Sequence, residues 1–113
     1  MASGDTAPGR PVADPQNDGG FGAYLQVEWH HDDSTEPVVI YVELDEHRYE
    51  LRKVEQYADG RLDLAGPCRY TGTTFLSEAP VPPLAEIATG AEFTPRVLAP
   101  GEFERIWRRA AEA

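Results

Sequence analysis

A single cysteine in 113 residues, Cys68, excludes an internal disulfide and would leave a zinc site dependent on other ligands. Basic residues are scarce as well: 10 Lys and Arg stand against 20 Asp and Glu, a formal net charge of -10. Such a field repels the phosphate backbone that a general nucleic-acid binder must attract, so DNA and RNA are not expected ligands. It attracts basic proteins instead and speeds their encounter at low salt, besides keeping the chain soluble. No apolar run approaches the ~20 residues of a membrane span, and residues 1–20 lack the hydrophobic segment of a signal peptide. No membrane contact is expected, and a reducing cytoplasm suits the lone thiol. There is no G-x-S-x-G elbow, no phosphate-cradling glycine loop and no H-E-x-x-H helix, so no cofactor is expected.

What is present falls into short patterned segments. Residues 1–20 are Gly, Pro, Asp, Ala and Ser with hardly a large apolar side chain, so ordering them would cost backbone entropy without burying surface. They read as a flexible tail before a single domain over 21–113. In FGAYLQVEWHH, Leu25, Val27 and Trp29 alternate with Tyr24, Gln26, Glu28 and His30, the period of a strand. The turn formers DDSTEP lead to VVIYVEL, whose Val38, Ile40, Val42 and Leu44 share one face. In YELRKVEQY the alternation holds at Tyr49 and Leu51 and slips at Val54, which predicts a bulge near Arg52 and Lys53. Asp59-Gly60 is a hairpin signal and RLDLA a returning fourth strand.

GPCRYTG is loop-like and TTFL a candidate edge strand. PVPPLAEIATG predicts a short helix started by Pro82-Pro83 and stopped by Gly90, and FTPRVL a last extended segment. The closing APGEFERIWRRAAEA sets Phe103, Ile106, Trp107 and Ala110 at i, i+3, i+4 and i+7, with acids early and arginines late as the helix dipole favours.

Sequential strands with short turns predict an α+β fold: an antiparallel meander of four to five strands, with a short helix and a C-terminal helix packed on one face. We expect Phe103, Ile106 and Trp107 to bury against Trp29, Ile40 and Val42, leaving the opposite side of the sheet open. That side carries Tyr24, Glu28 and His30 on the first strand and Tyr41 and Glu43 on the second. Amphipathic tyrosines bordered by carboxylates suit a basic protein surface, and these five form the expected protein-binding site. The same residues also fit ordinary cross-strand pairing on a solvated face.

The cluster His30, His31, Asp32 and Asp33 raises a metal-dependent enzyme as an alternative. In a strand the two imidazoles point to opposite faces, so only His31 with Asp33, or His30 with Asp32, shares a side. A third ligand such as His47 would have to come from elsewhere. The competing reading has Asp32, Asp33 and Ser34 shaping a turn with the histidines at a strand end. Carboxylate pairs at Glu43 and Asp45 or Glu50 and Glu55 sit in polar, alternating contexts that suit solvation better than general acid/base work. Cys68, between Pro67 and Arg69, has no sequence-local histidine to make it a nucleophile.

The segments YLQVEWHHD, EPVVIYVELDEHRYELRKVEQYADGRL, PVPPLAEIA and EFTPRVLAPGEFERIW resemble a family of small bacterial domains of unknown function, with the E-L-D…R-K-V-E…D-G-R block most specific. The resemblance runs from about Tyr24 to Arg109 and implies a compact stand-alone α+β domain with no catalytic residues to carry over. Ala99-Pro100-Gly101 departs from the Ser or Thr cap expected before the last helix. Small acidic domains without catalytic machinery are similar in type to immunity proteins, which clamp a basic toxin. The expected function is therefore a non-enzymatic domain that binds and neutralises a basic protein partner. An accessory or regulatory subunit of a larger assembly is the alternative binding role.

Overall fold

The computed structural model describes residues 23–112, so the tail expected at 1–20 lies outside the described residues. Within them the chain forms β1 (Ala23–Trp29), β2 (Val39–Leu44), β3 (Glu50–Gln56), β4 (Leu62–Gly66), β5 (Arg69–Tyr70), α1 (Leu84–Ile87), β6 (Phe93–Val97) and α2 (Pro100–Glu112). The six strands make one sheet in the order β5-β4-β3-β2-β1-β6, every pairing antiparallel. The class is α+β as expected, with one strand more than the expected upper count. The edge strand after β4 is Arg69–Tyr70, and the TTFL segment forms none. β6 closes the other edge against β1, where Pro95 is tolerated because an edge strand needs no donor on its outer side.

The bulge falls slightly earlier than predicted. Glu43 pairs with Arg52 and Leu44 with Glu50, so Leu51 is the extra residue. That shift puts Val54 opposite Tyr41 and Leu64 opposite Val54, on the same face as Tyr24. The other face carries Leu25, Val27, Ile40 and Val42 on β1 and β2 but Lys53, Glu55 and Asp63 on β3 and β4. Each face is thus apolar over only part of its width, and the two apolar parts are offset.

α2 covers the first part. Phe103, Ile106 and Ala110 pack with Val54, Leu64 and Leu98, and Tyr24, Tyr41 and Trp107 close around them. The expected packing of this helix on Trp29, Ile40 and Val42 is therefore corrected: the apolar residues of β3 and β4 lie on the tyrosine face and draw the helix there. The second part is covered by the long connection from β5 to β6, whose Val81, Leu84 and Ile87 pack against Leu25, Val42 and Leu44. Large buried side chains contribute about 1.5–3 kcal/mol each before entropy is counted, so both coverings hold the sheet.

The missing Ser or Thr at the start of α2 is made good by Glu102. Its Oε1 accepts from the Ala99 N–H at 3.0 Å, the return half of a capping box, and Pro100 occupies the first helical position. This bond, and Arg96 beside it, hold the Glu102 carboxyl below the ordinary carboxylate range.

Candidate functional site

Of the five expected protein-binding residues, the structure commits three to the fold. The Tyr24 ring lies 5.4 Å from that of Phe103, and its hydroxyl donates to Glu43 at 3.2 Å. Glu43 accepts in turn from Arg52, whose guanidinium also donates to Glu104 on α2 and lies over the rings of Phe103 and Trp107 at 4.9 and 5.1 Å. Tyr41 is half-buried beside the helix and donates to Gln56 at 2.9 Å. Tyr24, Tyr41 and Glu43 are thus the seat of α2, and the idea of an open face there is corrected. Glu28 and His30 remain exposed, with His30 Nε2 2.7 Å from the Thr94 hydroxyl.

His31 closes the β1–β2 turn. Its Nδ1 accepts from the Asp33 N–H at 2.9 Å, so its Nε2 carries the proton donated to the Pro37 carbonyl at 2.7 Å. Asp33 Oδ1 accepts from both the Thr35 N–H and hydroxyl, which lowers its pKa. Both His31 nitrogens are therefore occupied by the turn. His47 sits in the β2–β3 turn, at the opposite end of β2, roughly 20 Å away by the rise of a six-residue strand. Among the described residues, no group of three His, Cys, Asp or Glu side chains could hold a metal ion.

The remaining candidates are committed likewise. Asp45 Oδ1 accepts from the His47 and Tyr49 N–H groups. Glu50 pairs with Lys53 and accepts from the Ser77 N–H, and Glu55 accepts from the Thr74 hydroxyl. Cys68 is exposed.

A concave site lies on the face that α2 leaves alone. α1 is only four residues long, so it caps the Leu44 end of the apolar strip and leaves Val27 and Ile40 facing a groove of about 480 Å³. Val81, Ile87 and Phe93 form the opposite wall, and the Glu50–Lys53 pair closes one side. Arg48 sets that wall in place. It adopts φ 70° in the β2–β3 turn, donates through Nε to the Val81 carbonyl and through Nη2 to that of Pro82, and accepts from the Val81 N–H.

The β1–β2 end of the groove is aromatic and acidic. The Trp29 ring lies 6.1 Å from that of Phe93 and 4.4 Å from the His31 ring, extending the apolar wall outward. Glu86 lines the groove, and the Glu92 carbonyl accepts from the His30 N–H, which brings that segment beside the loop bearing Asp32, Asp33 and Glu36. The only basic residue lining the groove is Lys53, whose ammonium is paired with Glu50 at 2.9 Å. The sequence predicts this short helix between Pro82-Pro83 and Gly90. The missing signal was that a helix this short cannot span the strip on which it lies.

An antiparallel sheet with a helix on one face and an apolar groove bordered by Glu86 on the other defines a small α+β domain. The chain matches the model of a family described as Domain of unknown function (DUF6881) over residues 23–112, and it belongs to that family. No curated protein and no solved structure shows a match to it.

Proposed function

We propose that this domain is a non-enzymatic module that binds a basic protein partner, inserting an apolar side chain of that partner between Val27, Ile40, Ile87 and Phe93. The observation that carries this reading is an apolar groove whose lining holds the unpaired carboxylate Glu86 and no unpaired cation. Apolar anchors in a pocket supply affinity, and complementary charge around them supplies orientation and encounter rate. Of the residues first assigned to the interface, Glu28 and His30 stay exposed, but on the tyrosine face of the sheet and away from this groove. In this reading the domain acts in the bacterial cytoplasm as an immunity-like protein, clamping a basic toxin by occlusion. Among the described residues, no helix is long and apolar enough to cross a membrane.

The test is affinity capture from the native host with the full chain, beside two variants whose native fold is first verified by circular dichroism. Glu86→Lys with Glu92→Lys reverses the rim, and Ile87→Asp plugs the groove with a charge. Loss of the same basic protein from both captures is expected. Retention of that protein by both variants would move the interface elsewhere, and catalytic turnover by the purified chain would end the non-enzymatic reading.

A further inference from the structure

α2 crosses only part of its face, and along its free flank runs a second cleft of about 250 Å³. The floor is apolar, made by Leu98, Ile106 and the ring of Tyr41. The walls are cationic: Arg96 projects from β6, and Arg105 and Arg109 from successive turns of α2. In a chain with 20 acids and 10 basic residues, three arginines gathered on one small cleft oppose the sign of the molecule as a whole.

Arg96 is held in place, donating to the Gln26 side-chain oxygen at 3.1 Å and to Glu102 at 3.4 Å. Arg105 and Arg109 make no hydrogen bond or ion pair among the described residues. Like charges four residues apart on a helix repel each other, a cost that a shared anion would remove. Glu102 is the only carboxylate lining the cleft; its charge also reaches Arg105, but its oxygens are already engaged by the Ala99 N–H and Arg96. Arg109 and Arg96 also lie near enough to Tyr41 to favour its ionised form against the burial that raises its pKa, which places their charge over the cleft floor.

We propose that this cleft binds a small organic oxyanion, its apolar body on Leu98, Ile106 and Tyr41 and its carboxylate or phosphate held by Arg105 and Arg109. Guanidinium forks recognise both head groups by paired, charge-assisted hydrogen bonds, so the head-group chemistry is shared and the probes must separate the two. The cleft lies on the opposite face of the sheet from the groove, and its fate is independent of the partner proposed above.

The experiment is a nuclear magnetic resonance titration of the full chain with phenyl phosphate, benzoate, inorganic phosphate and benzyl alcohol. Phenyl phosphate or benzoate should give saturable shifts confined to Gln26, Tyr41, Leu98 and the α2 residues around Arg105, and the tighter of the two names the head group. Inorganic phosphate, lacking the apolar body, and benzyl alcohol, lacking the charge, should each bind more weakly by about tenfold or more. In the R105Q/R109Q variant the organic anion should weaken by a similar factor with the rest of the spectrum unchanged. Absence of saturable shifts with both organic anions, or equal affinity in wild type and variant, would overturn the proposal. The wild-type titration decides this even if the variant fails to fold.

Discussion

Arg48 and Val81 are hydrogen-bonded in both directions: the Val81 N–H donates to the Arg48 carbonyl at 2.8 Å, and Arg48 Nε donates to the Val81 carbonyl at 2.8 Å. This reciprocal pair fastens the β5–β6 connection to the β2–β3 turn and so fixes one wall of the groove. Arg48 makes it from a left-handed backbone conformation, which costs a non-glycine residue about 1 kcal/mol. Arg48→Ala should destabilise the domain by about 1–3 kcal/mol, the value of hydrogen bonds from a charged donor. Arg48→Gly loses the same side-chain bonds but escapes the backbone cost, and should be about 1 kcal/mol more stable than the alanine variant. Thermal unfolding of the two variants checks the order, and faster hydrogen exchange at the Val81 amide in both checks the cause.

The closing helix is tied to the sheet through Trp107. Its ring stacks on Phe103 at 6.3 Å, borders the Arg52 guanidinium and lies over Gly66, where an added Cβ would stand 3.0 Å from its Cη2. Trp107→Ala should cost about 3 kcal/mol, at the low end for a large aromatic because the ring is only half-buried. Gly66→Ala should cost about 1 kcal/mol by overpacking, and that cost should vanish in the Trp107→Ala background, where the clash is gone. Chemical denaturation of the four proteins in this cycle measures the coupling. Strict additivity would mean that the two residues do not meet.

Much of this architecture was legible in the chain because alternation and turn residues are local signals. Leu25, Val27 and Trp29 marked β1, Asp59-Gly60 marked the β3–β4 turn, and Phe103, Ile106 and Ala110 marked the buried stripe of α2. What was not legible was the face on which the helix lands. That depends on one extra residue, Leu51, which sets Val54 and Leu64 behind Tyr41 and Tyr24 and makes the tyrosine side the apolar one over β3 and β4. The slip at Val54 announces a bulge, but a strand's own pattern does not say which face then meets the helix, since a shift of one residue turns every later side chain to the other face. Tyr24 and Glu43 were accordingly read as surface when they are the hydrogen-bonded seat of Arg52. The groove was hidden for a related reason: its two walls are far apart in sequence and only the short span of α1 leaves it open.

Glu50 and Lys53 form an ion pair whose side chains are 8% and 12% exposed, and it pins the residues 75–77 to the sheet through the Phe75 carbonyl and the Ser77 N–H. Removing one member leaves the other charge buried without its partner, a loss of about 3–5 kcal/mol. Lys53→Met should therefore destabilise strongly, while the Glu50→Gln, Lys53→Met double variant should recover at least half of the loss, because the neutral amide still accepts from Ser77. Urea unfolding of the three proteins provides the comparison. If the double variant is the least stable, Glu50 is not stranded by the loss of Lys53 and the burial argument fails.

Glu104 sets the acid limit of the α2 anchor. The hydrogen bonds from Arg52 hold its carboxyl below the ordinary value of 4.5, opposed only by partial burial. A carboxylate whose pKa is depressed by folding adds stability that is fully present above the unfolded value and is lost as the pH falls through the lower folded one. The Glu104 side chain is 45% exposed, so solvent screening keeps the contribution near that of a surface pair, about 1 kcal/mol at neutral pH. Glu104→Gln should be less stable than wild type by that amount near neutral pH. The gap should shrink steadily as the pH drops below about 4.5 and close below the folded pKa, where both proteins present a neutral side chain to Arg52. Stability curves of the two proteins across this range, repeated in high salt, test the assignment: the neutral-pH gap should narrow with salt. A gap that stays constant with pH would show that Glu104 acts on α2 through packing and not through its charge.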